Sequence, residues 1–192
     1  MVMLLNQVWK AIGLLILSTA CVSCSILKSP HYVGEQEAIR EEDLASETVW
    51  MQGDDVYFVK RVDSNTVVAA TLDWDAKANN FRIRSYPIIL SSLGEYSFLN
   101  VKEDENYSIF RVIGTDDEET LLLFTIDGDK LEQDIADGKI KARASGDDIV
   151  MECTKEEQDA YMRANVDLMF DMNSAFLARK ISREQACKSF EP

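Results

Sequence analysis

The sequence predicts a mainly β domain with two short helices, in which an antiparallel meander closes into a small barrel or sandwich and a C-terminal helix packs on it. From residue 48 onward, short runs of β-branched and aromatic residues alternate with acidic or Gly- and Asn-rich breaks. Hydrophobic residues make up 46% of the 192-residue chain, as in folded globular proteins. Two capping-box patterns after the strand runs indicate the helices.

The strands of the meander are predicted from their composition and from the turn residues between them. The predicted strands span residues 48–51, 56–62, 67–74, 81–89, 96–102, 107–113 and 120–126. Phe81-Arg82-Ile83-Arg84 alternates apolar and basic residues, which predicts one buried and one solvated face. Residues 121–124 are continuously apolar, so we expect that strand to be covered on both faces.

The first helix is predicted just after the last strand of the meander. Asp129-Lys130-Leu131-Glu132 has the form of a capping box, and Gly138 suits the end of the helix. Between them, Leu131 and Ile135 fall on one side of the helix. These features indicate a short helix with one apolar face.

The second helix begins at another capping box, Thr154-Lys155-Glu156-Glu157, and extends to about residue 170. Tyr161, Ala164 and Leu168 are expected on its apolar stripe. Short strands are predicted before it, at residues 148–152, and after it, at residues 175–181. The second of these strands is expected to end the fold.

The N-terminal residues have the organisation of a bacterial secretory leader. Lys10 is the only charged residue among the first 24, an apolar run follows it, and small residues come next. The apolar run is shorter than the about 20 residues that a transmembrane helix needs. Cleavage is therefore favoured over an uncleaved membrane anchor.

The end of the leader resembles a lipobox, the site at which bacterial lipoproteins receive diacylglycerol on a cysteine before cleavage. Cys24, which follows Val22-Ser23, is the favoured attachment site, and Cys21, which follows Thr19-Ala20, is the alternative. Acyl chains such as palmitate would hold the protein on a membrane, since several chains on one cysteine give durable attachment. Ser25 slightly favours the outer over the inner membrane.

These features predict four regions along the chain. Residues 1–23 form a lipoprotein signal peptide, residues 24–47 a polar tether that leads into the fold, residues 48–182 a single β-rich domain, and residues 183–192 a polar tail. Pro30 interrupts the tether, which also contains the sole histidine, His31.

Several motifs of the chain, taken in order, carry a resemblance to a known group of proteins. They are Tyr32-Val33-Gly34-Glu35, VVAATLDWD at residues 67–75, LGEYSFLNVK at 93–102, DGDKLEQDIADGKIKA at 127–142, and TKEE at 154–157 followed by FLARK at 176–180. Together they resemble a group of uncharacterised bacterial lipoproteins with a lipocalin-like or related β-barrel domain, over about residues 20–182. The resemblance implies the fold and brings no functional residues with it.

The composition argues against several classes of function. The formal net charge of −14 disfavours nucleic acid as a partner, because an acidic surface repels phosphate backbones. His31 lies in the predicted tether, no G-x-S-x-G motif occurs, and Asp127-Gly128-Asp129 lacks the later ligands of a calcium loop. We therefore expect no catalytic residues, no metal and no cofactor.

Besides the predicted acylation site, two cysteines, Cys153 and Cys187, remain after the leader is removed. In an oxidising compartment they could form a disulfide. A free pair is favoured, because Cys187 lies in the predicted polar tail. Two thiols without histidines cannot complete a structural zinc site.

The sequence leaves three functional hypotheses. The leading one is a lipid-anchored, non-catalytic domain in the bacterial cell envelope, facing the periplasm and binding a partner protein or envelope component. The alternative is a binder of a small apolar ligand or lipid inside the barrel, for which Trp74, Tyr96 and Phe98 are weak ligand-binding candidates, with Trp50 and Tyr86 as further aromatics. A hydrolase that uses only carboxylates and hydroxyls ranks third.

Overall fold

The computed structural model describes residues 25–37, 47–75, 77–117 and 119–189. The predicted leader, with Cys21 and Cys24, lies outside these ranges. Within them the chain is mainly β, with an eight-stranded antiparallel closed barrel and three helices. The predicted fold class, including a C-terminal helix packed on the barrel, is therefore confirmed.

The meander forms at the predicted places, with additional short strands before and after it. The strands are β1 Leu27–Ser29, β2 Glu35–Gln36, β3 Glu47–Gln52, β4 Asp55–Arg61, β5 Thr66–Asp75, β6 Asn80–Leu93, β7 Tyr96–Glu103, β8 Asn106–Gly114, β9 Thr120–Ile126, β10 Ala142–Ser145, β11 Asp148–Met151 and β12 Phe170–Ile181. The helices are α1 Gly128–Ala136, α2 Lys155–Met169 and α3 Arg183–Ser189.

The barrel is closed by a strand from the far end of the chain. Strands β3 to β9 each pair antiparallel with the next strand in sequence. Strand β12 then pairs with both β9 and β3. Closure leaves the ring without a free edge, which is how all-β folds avoid edge-to-edge association.

Residues 25–37 do not form the polar tether that the sequence predicts. Strand β1 lies between β8 and β11, and alternate side chains of β1, those of Leu27 and Ser29, are fully buried. Val33 is also fully buried. Gly34 follows it with φ 67°, and a Cβ at this position would lie 2.0 Å from the carbonyl oxygen of Ser92. This segment is therefore part of the folded domain.

The larger hydrophobic core lies outside the barrel, between the outer face of β7–β9 and the layer formed by α1, α2, β1 and β11. Its fully or almost fully buried members include Leu27, Phe98, Ile109, Leu131, Met151, Met162, Met169 and Phe170. Strand β9 shows how alternation divides the two faces, since Leu123 points into the barrel and Phe124 into the outer core. Both are buried, so the prediction that residues 121–124 are covered on both faces is confirmed for these two residues, while Leu121 and Leu122 are only partly buried.

The predicted stripe of α2 is wrong except for Tyr161. The capping box at Thr154 forms as predicted, but Leu168 is 62% exposed and Ala164 is also exposed. The buried residues of α2 are Gln158, Tyr161, Met162, Val166 and Met169. Their spacing follows the helical period. The predicted stripe lies to one side of this buried face, and Tyr161 is at the edge that the two share.

Helix α1 begins at a different residue from the one predicted, and helix α3 lies where the sequence predicts no helix. Helix α1 is capped by Asp127, whose side chain accepts from Lys130 N at 3.1 Å, and not by Asp129. Helix α3 replaces part of the predicted polar tail. It begins with a reciprocal capping box between Ser182 and Gln185, and Ala186 is 1% exposed against β3 and β4.

The β5–β6 hairpin projects beyond the rest of the barrel. Strand β4 pairs with β5 only as far as Ala70, and β7 pairs with β6 only from Ile88. Beyond these points the two strands pair with each other, and Phe81 and Ile83 are 66% and 76% exposed. The buried face predicted from the alternation at residues 81–84 is therefore wrong, because the described part of the chain covers neither face.

Candidate functional site

The interior of the barrel contains a cavity of about 950 Å³. All eight barrel strands contribute side chains to its lining. The middle of the wall is apolar and includes Val59, Ala69, Ile88, Leu99, Phe110 and Leu123. Several wall residues, Leu99 among them, keep part of their surface accessible because the space in front of them is not filled by protein.

The interior of the barrel is not filled by protein, because several of the largest side chains point outward, although four aromatic side chains line the cavity. An eight-stranded barrel is just wide enough either to be filled by side chains or to hold one small ligand. Phe98, Phe124 and Phe170 all belong to the outer core. The buried residues that cluster inside the barrel are the smaller Val67, Ala69 and Ile88, so interior space remains.

One end of the cavity carries neutral polar side chains and one carboxylate. Gln52 and Glu103 reach it from the ends of their strands, and Tyr57 and Tyr86 from within β4 and β6. Burial, and secondly the charge of nearby Asp55, raises the pKa of Tyr57, so its hydroxyl stays protonated at neutral pH.

The carboxylate of Glu103 at this end has partners outside the cavity. It accepts a hydrogen bond from Ser108 Oγ at 3.0 Å, and Lys28 Nζ lies 3.7 Å away. Lys28 lies closer to Asp148, at 2.7 Å, so it offsets the charge of Glu103 only in part.

The other end of the cavity is open and charged. Glu37, Glu119 and Lys180 line it, and all three side chains are exposed. Lys180 N donates to the carbonyl oxygen of Glu119 at 2.7 Å, which fixes the backbone on this side. Trp50, beside Lys180 in the β3–β12 register, completes the wall.

The sequence-predicted ligand residues Tyr96 and Phe98 do not line this cavity. Phe98 is 1% exposed in the outer core, with its ring centroid 6.0 Å from that of Phe170. Tyr96 donates to Asp167 Oδ2 at 2.8 Å on the outer side, and this hydrogen bond is the main reason that the pKa of Tyr96 is raised. The side chain of Trp74 lies outside the described part of the structure.

The cavity residues could have been found from strand alternation once one inward-facing residue was known. Leu99 and Val101, which face inward, alternate with Phe98 and Asn100, which face outward. The sequence shows the two sets but does not say which set faces the barrel interior. Among the aromatics weighed from sequence, Trp50 and Tyr86 do line the cavity.

The two cysteines in the described part of the chain, Cys153 and Cys187, are both free. Cys153 is buried in the outer core, and burial raises the pKa of its thiol, which makes it a poor nucleophile. Cys187 is exposed on α3.

The most strongly perturbed carboxylate belongs to a buried cluster in the outer layer. Asp134 has no exposed side-chain surface and accepts from Lys130 Nζ, from Lys139 Nζ at 2.7 Å and from Tyr161 Oη at 2.7 Å. These hydrogen bonds, that of Lys130 first, hold the pKa of Asp134 far below its usual range. With its oxygens fully engaged, this cluster joins α1 to α2 and offers no group to a substrate.

Among residues 25–37, 47–75, 77–117 and 119–189, no three His, Cys, Asp or Glu side chains converge as a metal site would require. No helix in the same ranges is both long enough and apolar enough to cross a membrane. Comparisons with protein-family models, with curated proteins and with solved structures find no match to this chain.

Proposed function

We propose that this protein is a non-catalytic binding protein that holds a small apolar or amphipathic ligand inside its barrel. The observation that carries the proposal is the interior cavity of about 950 Å³. Ligand sites are typically about 300–1,000 Å³, mostly apolar, with a few polar groups that fix orientation. The apolar middle and polar ends of this cavity match that description. The cavity therefore supports interior binding over the partner-protein role that the sequence alone puts first.

The apolar wall predicts that affinity increases with the length of an alkyl chain. Each methylene removed from water contributes about 0.8 kcal/mol. Two methylenes therefore lower Kd by more than about tenfold. The increase should stop when the chain outgrows the cavity, and the length at which it stops measures the usable interior.

Filling the cavity with a side chain should block binding. Ala69 is 5% exposed and lies on the cavity wall, so Ala69→Phe places an aromatic ring in the space that a ligand would occupy. We expect at least a tenfold increase in the Kd of a neutral fluorescent probe, N-phenyl-1-naphthylamine, measured by titration.

The matched control for this experiment is Ala70→Phe, the same change at the next residue. Ala70 alternates with Ala69 and lies on the outer side of β5, opposite Phe58 of β4. The control should bind the probe like the wild type. Equal binding by all three proteins would contradict interior binding.

We further propose that the chain is a lipoprotein, anchored in the bacterial envelope through Cys24, with Cys21 as the alternative, and facing the periplasm. The support is the order of charge, apolar run and small residues before Cys24. Ser25 is paired with Ile126 at the end of β9, so an acyl group on Cys24 would place the domain directly at the membrane surface. A partner at that surface then remains compatible with interior binding.

The anchor is tested by producing the protein in a bacterium that processes lipoproteins and by measuring its intact mass and its partition into membranes. We expect wild-type protein and Cys21→Ser to carry acyl mass and to fractionate with membranes. Cys24→Ser should lose both properties. Full-length wild-type protein without acyl mass would contradict the proposal.

A further inference from the structure

The charged groups around the barrel cavity are mostly carboxylates. Among the described residues, the charged side chains that line it are Glu37, Glu103, Glu119 and Lys180. Three carboxylates therefore face one ammonium group. A cavity built for an anionic head group, such as a fatty acid carboxylate, would be expected to present the opposite balance.

The negative charge that remains for a ligand lies at the open end. Glu103, at the other end, already faces Lys28 and Ser108. Among the described residues, neither Glu37 nor Glu119 forms a side-chain ion pair, and Lys180 forms none either. Two carboxylates and one ammonium thus line this end of the apolar cavity.

We infer that the ligand is an amphiphile with a cationic head group, whose alkyl chain lies along the apolar interior and whose head lies between Glu37 and Glu119. This inference rests on the proposed interior binding. The chain would gain from the apolar wall. The ammonium would lie beside two carboxylates that form no ion pair with any other described residue.

These charges also determine which head group is expected to bind more tightly. An anionic head on the same chain would meet the same two carboxylates with like charge and would have only Lys180 as a partner. Exposed charges interact weakly, so each carboxylate should change affinity by only about two- to fivefold at low salt. Together they should give about a tenfold preference for an amine over a carboxylate of equal chain length, and added salt should reduce it.

Competition against N-phenyl-1-naphthylamine measures this preference. Decylamine and decanoate, each below its critical micelle concentration, and decanol, below its solubility limit, are compared at neutral pH. They should displace the neutral probe with affinities in the order decylamine, decanol, decanoate. Decanol reports on the apolar interior alone, because it has the same chain without a charge. Decanoate binding as tightly as decylamine would overturn the inference and leave interior binding intact. Failure of the probe and of all three compounds to bind would overturn both.

Two neutralising variants test where the preference arises. Glu37→Gln with Glu119→Gln should bring the amine-to-carboxylate ratio close to one while leaving the affinity for decanol and for the probe unchanged. Lys180→Met should increase the ratio. The control is Glu105→Gln, an equal change of charge at an exposed position outside the cavity lining, which should leave the ratio as it is. An unchanged ratio in the double variant would overturn the assignment of the head-group site.

Discussion

Replacing Phe98 by alanine is expected to lower the free energy of unfolding by about 3–5 kcal/mol. Phe98 is 1% exposed and packs its ring against Phe170, at the junction of β7 with the start of β12. Its removal leaves a sealed void in the larger core, where the surrounding α2 and β8 side chains cannot collapse into the space. Urea unfolding followed by circular dichroism would measure the change.

The neighbouring residue supplies the matched control for Phe98. Leu99 faces the cavity and keeps part of its surface accessible, so Leu99→Ala enlarges an existing space and seals no new void. We expect a loss of about 1–2 kcal/mol, below the usual range for a buried leucine. Equal losses from the two variants would contradict the conclusion that the main core lies outside the barrel.

Replacing Asp134 by asparagine is expected to lower the free energy of unfolding by about 2–4 kcal/mol. The fully buried carboxylate accepts hydrogen bonds from two lysine ammonium groups and one tyrosine hydroxyl, and the substitution disrupts all three. The amide would turn N–H donors toward Lys130, Lys139 or Tyr161. The two lysines are partly exposed and can turn to water, which keeps the cost below that of stranding two buried charges. The control is Asp137→Asn, where the lost ion pair with Lys139 is exposed and worth less than about 1 kcal/mol.

The contribution of Asp134 should depend on pH in a defined direction. Its pKa is held far below that of an unfolded-state aspartate, which is about 4. The stabilisation is therefore complete above the unfolded-state pKa and is lost as pH falls toward the folded-state pKa. The difference in unfolding free energy between wild type and Asp134→Asn should be constant from about pH 5 to pH 8 and should shrink below about pH 4. A difference that persists undiminished at pH 2 would contradict this account.

Local patterns in the sequence are sufficient to place most of the strands. Turn residues bound each run of the meander, and the period of two within a run is a property of the extended backbone. The capping box at Thr154 is equally local, because its hydrogen bonds join residues three apart. The same logic would have found α3, since Ser182 and Gln185 have the capping-box spacing.

Contacts between distant parts of the chain are not encoded in this local way. Barrel closure depends on β12 pairing with β3, so that Ile181 lies beside Val49, and no periodicity indicates such a partner. The burial of residues 25–37 likewise depends on β8 and β11. The polar composition of residues 25–37, taken alone, indicates solvent exposure.

The sequence by itself determined that this chain forms an antiparallel meander with a helix packed on it, because those features follow from backbone geometry and neighbouring residues. Only the tertiary structure decided which face of each strand is the interior. It places Phe98 in the outer core and Leu99 at the cavity, and it leaves Ile83 exposed on a projecting hairpin. Alternation defines two faces but is the same whichever of them closes inward, so the binding cavity appears only when the barrel is complete.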